Sequence, residues 1–272
     1  MDSVLKQRII TAVILMVVVF VGVLLLPNPV FSVLALIALI SIGGWEWSRL
    51  VTLEDFHRGL FVAWLLLLAY MAYRWDDARW VFIVFGVVWW AVALVLLSIY
   101  ESGTTLYKDH KWFLRMAAFF VLVPAWVAII TLHQHHSQLV LYLILLVASA
   151  DTGAYFAGKA FGKNKLAPEL SPGKTKEGML GGLTGALVLS VFAACYFALP
   201  AQDWFYFIAL SVAVALISVA GDLFESLIKR EAGQKDSGNI LPGHGGILDR
   251  IDGLLAALPL FTLGIFWGAI QV

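Results

Sequence analysis

Apolar residues run through this chain in long, nearly unbroken stretches, separated by short polar segments. The stretches fall at about 9–26, 28–45, 59–73, 80–100, 112–132, 138–158, 178–199, 203–220 and 253–271. Most reach or approach the roughly 20 residues a helix needs to cross a hydrocarbon core. None shows the strict alternation of a half-buried strand. The pattern predicts an all-α, polytopic membrane bundle of about nine transmembrane helices. Two spans are less regular: 59–73 is short, and 28–45 ends on Gly43-Gly44-Trp45, which reads as a helix end. Lys6 and Arg8 precede the first run as they would in a signal peptide. Its apolar core is too long for one, however, and Pro27-Asn28-Pro29 stands where small residues would mark a cleavage site, so it reads as a retained first span.

Composition narrows the class. Of 272 residues, 61% are hydrophobic and only 13% charged, with a mean hydropathy of +0.90. Soluble domains carry about 25% charge. The 18 Lys and Arg balance the 18 Asp and Glu, so no net positive charge points to nucleic acid. The single Cys195 excludes a disulfide scaffold.

With nine spans and the N-terminus placed in the cytoplasm, 16 of the 18 basic residues fall in inside segments. Only Arg74 and Arg79 fall outside. That asymmetry predicts a cytoplasmic N-terminus and an external C-terminus. The chain then divides into residues 1–137, with helices one to five, and 138–272, with helices six to nine and two cytoplasmic loops, 159–177 and 221–252. The first part reads as apolar, Trp-rich helices without a polar constellation.

Half of all charged residues lie in 149–178 and 221–253, under a quarter of the chain. Asp151, Asp222, Asp249 and Asp252 stand at the edges of spans, where a short carboxylate is costly and usually faces a bundle interior or a wet cavity. If the eighth helix continues through Gly221–Arg230, then Asp222, Glu225 and Lys229 share one face. Asp222 and Ser226 lie one turn apart. Asp249 and Asp252 share a face of the ninth helix. Between these helices, Pro242-Gly243-His244-Gly245-Gly246 allows backbone N–H groups to converge on an anion. Oxygen ligands beside cations fit Mg²⁺ holding phosphates, with Lys229, Arg230, Lys235 and Arg250 able to clamp phosphate oxygens. Ser171-Pro172-Gly173-Lys174-Thr175 supplies a further lysine and two hydroxyls on a Gly/Pro turn, although without Walker A spacing.

The run Ser226-Leu-Ile-Lys229-Arg230, Lys235-Asp236-Ser-Gly, Leu241-Pro-Gly-His244-Gly245-Gly246-Ile and Asp249-Arg250-Ile-Asp252 closely resembles the signature of phosphatidate cytidylyltransferases, the CDP-diacylglycerol synthases. Ser171–Thr175 and Asp151-Thr-Gly-Ala-Tyr155 look like further family features, and Gly173 stands where some members carry a basic residue. The specific resemblance covers about residues 149–253. It implies that CTP and phosphatidate give CDP-diacylglycerol and pyrophosphate, at a bacterial inner membrane, with the site facing the cytoplasm.

On that resemblance, Asp222, Asp249, Asp252 and Lys229 are the expected catalytic residues. Asp222, Asp249, Asp252, Glu225 and Asp151 are the expected metal ligands, for Mg²⁺ and for a second cation if one binds. Ser171, Lys174, Thr175, Ser226, Arg230, Lys235, Asp236, His244, Gly245, Gly246 and Arg250 are expected to contact CTP or phosphatidate. A homodimer is a family-level expectation. Glu46 reads as structural, and His133, His135 and His136 as a solvated outer turn. A CTP-dependent lipid-alcohol kinase, releasing CDP instead of pyrophosphate, stays open. So does an ion-coupled transporter, although its helix breaks belong at mid-membrane. A CDP-alcohol phosphotransferase would need an Asp-Gly-x-x-Ala-Arg motif, which is absent.

Overall fold

A computed structural model describes residues 3–101, 111–241, 243 and 245–270. Nine helices make up the bundle among these residues: α1 (Ser3–Leu25), α2 (Asn28–Leu50), α3 (Asp55–Arg74), α4 (Asp76–Glu101), α5 (Lys111–His135), α6 (Ser137–Phe161), α7 (Lys176–Tyr196), α8 (Ala201–Glu231) and α9 (Leu248–Trp267). Eight of them, α2 to α9, are long and apolar enough to cross a membrane, and α1 carries a shorter apolar stretch, Val13–Leu25. Large apolar side chains stay exposed along the outer helix faces, as at Met16, Trp64 and Phe192. Such a surface fits lipid rather than water.

The second span does not end at Gly43-Gly44. Helix α2 runs on to Leu50 through a π-helical segment, Leu36–Ile42. Here the two glycines serve packing: a Cβ on Gly44 would lie 2.8 Å from Leu65 of α3. Glu46, Trp47 and Ser48 are consequently buried inside the bundle.

Of the three histidines expected in a solvated turn, His133 differs, while His135 is exposed. His133 lies within α5, stacked on Phe31 and 7% exposed. Its Nε2–H donates to Val23 O at 2.9 Å, and Nδ1 accepts from Asn28 Nδ2 at 3.1 Å. It therefore satisfies the polar groups that the α1–α2 turn leaves over. His135 packs on Phe266, and His136 is the residue before α6. No three His, Cys, Asp or Glu are grouped to hold a metal among the described residues.

Two further expectations change. Residues 221–231 are not loop. Helix α8 is 31 residues long, about 46 Å at 1.5 Å per residue, and projects beyond a hydrocarbon core of about 30 Å. It stops at Gly233, whose φ of 65° allows Gln234 N–H to reach Lys229 O at 2.8 Å. The Ser171–Thr175 segment is not a turn. It is strand β2, paired antiparallel with β1 (Lys165–Ala167). Glu177 holds the hairpin base, accepting Lys163 N–H at 3.0 Å and Asn164 Nδ2–H at 2.6 Å. Strands this short, one containing Pro and Gly, carry no periodicity to read.

Small residues let α6 and α7 approach closely: a Cβ on Gly153 would lie 2.6 Å from Gly181 O. The same device joins α8 to α9, where a Cβ on Gly221 would run into Asp252 O. Tyr142 OH and Ser211 Oγ, 2.7 Å apart, tie α6 to α8.

Candidate functional site

The close approach at Gly221 brings the acidic faces of α8 and α9 together. Lys229 Nζ is shared between them, donating to Glu225 Oε2 at 2.9 Å and to Asp249 Oδ1 at 2.7 Å. The three side chains are 13%, 5% and 6% exposed. Asp252, one turn further along α9, has Glu225, Asp222 and Lys174 as electrostatic neighbours. Glu225 Oε1 is buried and has no hydrogen-bond donor among the described residues.

The hairpin closes the other side. Lys174 Nζ meets Asp222 Oδ2 at 2.7 Å, with both side chains partly exposed. Ser226 Oγ donates to Asp222 Oδ1 at 3.4 Å. Thr175 caps α7, its Oγ1 accepting Gly178 N–H at 3.0 Å. Between α6, β2, α7 and α8 lies a cavity of about 540 Å³. Asp151, Lys159, Ser171, Lys174 and Asp222 line its polar part, and Ala150, Leu183, Ala215 and Val219 its apolar part.

The loop from 232 to 247 folds back on the bundle. Its N–H groups converge on carboxylates of the protein itself. Asp249 Oδ2 accepts from Ser237 N at 2.9 Å, Ser237 Oγ at 2.9 Å and Gly246 N at 2.8 Å. Glu46, fully buried, accepts from Ile247 N at 3.1 Å, Leu248 N at 2.9 Å and Ser237 Oγ at 3.3 Å. Two acidic side chains at the first turn of α9 thus satisfy its N–H groups and its dipole. Gly245 has φ 79°, and a Cβ there would lie 2.7 Å from Asp249 Oδ2.

The structure therefore brings together Asp151, Asp222, Glu225, Ser226, Lys229, Asp249 and Asp252 with Ser171, Lys174 and Thr175. Gly245 and Gly246 frame Asp249, and Arg250 occupies the first turn of α9. His244 lies outside the described residues. Arg230 is exposed near the end of α8. Lys235 and Asp236 instead line a second cavity, with Arg49 and Arg58. Sequence reasoning gave Glu46 a structural role without seeing what it holds. The available signal was a lone carboxylate in an apolar run.

The Cytidylyltransferase family model matches residues 6–267. A phosphatidate cytidylyltransferase of Pseudomonas aeruginosa is 39% identical over 268 residues, covering 97% of this chain and 98% of that protein. One of Haemophilus influenzae is 39% identical over 287 residues, covering 97% and 99%. One of Bacillus subtilis is 35% identical over 275 residues, covering 96% and 98%. With the match running through both the acidic cluster and the membrane helices that carry it, this chain belongs to the cytidylyltransferase family.

Proposed function

We propose that this protein transfers a cytidylyl group from CTP to phosphatidate, giving CDP-diacylglycerol and pyrophosphate. The relatives named for that activity support the reading along nearly their whole lengths. The observation that carries it is a mainly apolar cavity with charged residues, Asp151, Lys159, Lys174 and Asp222, in its lining, beside a buried cluster of carboxylates and a lysine, which suits an amphiphilic phosphate. A kinase acting on a lipid alcohol would need a base beside a hydroxyl. The lipid phosphate is already an anion, and the difficulty is to bring it to a second anion.

The lipid phosphate oxygen attacks the α-phosphorus of CTP. The new P–O bond forms as the bond to the β-phosphate oxygen breaks, and the electron pair leaves with pyrophosphate. Lys174 is the cation at the cavity mouth for the lipid phosphate, and Asp222 orients it. Lys229 holds Glu225 and Asp249 in register, so that α8 and α9 present one acidic surface.

The donor chemistry fits Mg²⁺. Glu225 Oε1 is buried without a protein donor and neighbours Asp252, and two buried carboxyls side by side need a shared proton or a cation between them. Asp222, Asp252, Glu225 and Asp151 are the oxygen donors that would have to draw together to hold the ion, since among the described residues no three of them are grouped as a metal site. Both oxygens of Asp249 are already engaged by protein donors, so its part is to fix the loop. When bound, the cation neutralises phosphate charge and orients the displacement.

The catalytic set thus lies in 138–272, with Glu46 supplied by 1–137. The positive-inside asymmetry supports a cytoplasmic face for this end of the bundle, at the inner membrane of a bacterium. The test is incubation of purified protein with phosphatidate, labelled CTP and Mg²⁺. Labelled liponucleotide and pyrophosphate are the expected products. Intact CTP would overturn the reading, and CDP release would favour the kinase.

A further inference from the structure

Two lysines line the cavity beside Asp222, and they are not equivalent. Lys174 Nζ lies 2.7 Å from Asp222 Oδ2, and Asp151 is an electrostatic neighbour of both. The charge of Lys174 is therefore matched by carboxylates of the protein itself. Lys159 has no acidic partner among the described residues. It is exposed, and its ammonium lies 5.9 Å from the ring of Tyr155, one turn back on α6. We infer that Lys159 binds the phosphate of the lipid substrate and, with Lys174, selects a phosphomonoester over a singly charged phosphodiester. The inference rests on the cytidylyltransferase reading above and says how that site would recognise its lipid.

The two lysines come from different elements and meet at one place. Gly158 of α6 packs on Thr175 of β2, where a Cβ would lie 3.1 Å from Thr175 Oγ1. Lys159 and Lys174 are the chain neighbours of these two residues, and both line the cavity. Ser171, at the other end of β2, adds a hydroxyl to the same lining. The hairpin thus carries one cation to a helix that carries another. A phosphomonoester, with close to two negative charges and three free oxygens, can meet both at once.

The shape below the lysines fits the rest of the lipid. Ala150, Ala154 and Gly158 stand on successive turns of α6 and span about 12 Å along its axis. Ala215 and Val219 line the cavity from α8. Further from the lysines, Tyr142 OH and Ser211 Oγ, 2.7 Å apart, draw α6 and α8 together. Glycines seal α6 against α7 over the same length, since a Cβ on Gly182 would lie 2.7 Å from Ala150 O. The cleft is therefore narrow and apolar at its deep end and charged at its mouth. An amphiphile fits it in one orientation, with acyl carbon against Ala and Val and its phosphate at Lys159.

Charge explains why a second cation matters. Asp151 and Asp222, both in the lining, repel an incoming phosphate, and Lys174 is held by Asp222. A phosphodiester carries one negative charge and a phosphomonoester nearly two at neutral pH. Only the monoester brings a further charge for Lys159. The same lysine therefore attracts the substrate and disfavours the phosphodiester lipids that surround it in a bilayer.

The test uses the full-length protein in detergent with water-soluble dihexanoyl phosphatidate, so that attraction to a charged bilayer plays no part. Lys159→Ala is expected to raise the KM for phosphatidate about tenfold or more, while the KM for CTP stays within about twofold of the parent. Lys159→Arg should restore most of the loss, since it keeps the charge. Lys163→Ala, at an exposed lysine outside the cavity lining, should match the parent. A rise in the KM for CTP alone would assign the cation to the nucleotide and overturn the inference. Unchanged kinetics would overturn it too, leaving Lys159 an anchor to lipid headgroups. Calorimetry with dihexanoyl phosphatidate and dihexanoyl phosphatidylglycerol tests the selection without turnover. The parent should prefer the monoester, and Lys159→Ala should lose that preference. If the parent makes no liponucleotide yet shows this pattern, the role of Lys159 stands and the activity falls. An equal preference in both proteins overturns the inference, with or without turnover.

Discussion

Glu46 accepts the backbone N–H of Leu248 at 2.9 Å across 202 residues of chain. One carboxylate from the second helix therefore caps the ninth, and through Ser237 it shares a donor with Asp249. The register of the acidic cluster thus depends on a residue far from it in sequence.

Glu46→Ala should strand Ile247 N–H and Leu248 N–H in a buried setting. Each stranded group costs about 1–3 kcal/mol, so the melting temperature should fall and turnover with it. Glu46→Gln keeps one acceptor oxygen and should fall less on both measures. Equal stability of the alanine variant and the parent would refute the capping role.

Removing the shared ammonium should be worse. Lys229→Met leaves Glu225 and Asp249 facing each other, buried, without a cation. Breaking a buried pair this way costs about 3–5 kcal/mol. Detergent-solubilised protein should unfold at lower temperature, and liponucleotide formation should drop at least about 100-fold. Lys229→Arg is expected to recover stability better than activity.

Asp249→Asn keeps the shape of the side chain and an acceptor for the Ser237 and Gly246 N–H groups, while removing the charge that Lys229 meets. The fold should persist by circular dichroism. Turnover should be abolished, with CTP binding by calorimetry little changed. Near-parental activity would show that the charge at this position is dispensable.

Gly221→Val tests the contact that assembles the cluster. Any Cβ at 221 runs into Asp252 O, so α8 and α9 must separate. Overpacking of this kind costs about 1–3 kcal/mol. Activity should be lost even though no charged group has changed.

Sidedness can be read with one thiol. Cys195 is the single cysteine, and a Cβ at Gly173 would meet nothing within 4 Å. In a Cys195→Ser background, Gly173→Cys should react with an impermeant maleimide only after cells are opened. Labelling of intact cells would reverse the proposed orientation.

Much of this molecule was legible in one dimension. Bilayer-length apolar runs can be satisfied only by helices or closed barrels, so nine helices followed from the runs. The acidic faces of α8 and α9 followed from spacing alone, because i, i+3 and i, i+4 are fixed by helical geometry. Other features arise from contacts between distant segments. No local pattern marks the continuation of α2 past two glycines, since those glycines answer to Leu65 of another helix. His133 looked solvated because its partners, Val23 and Asn28, lie over 100 residues away. The N–H of Gly246 reads as free for a substrate anion, but Asp249 takes it, and Glu46 takes those of Ile247 and Leu248 just beyond. Sequence determined which residue types could do chemistry and on which helix faces they stand. Tertiary structure decided which of them meet, because long-range pairing depends on how packed helices cross, and no local periodicity records that.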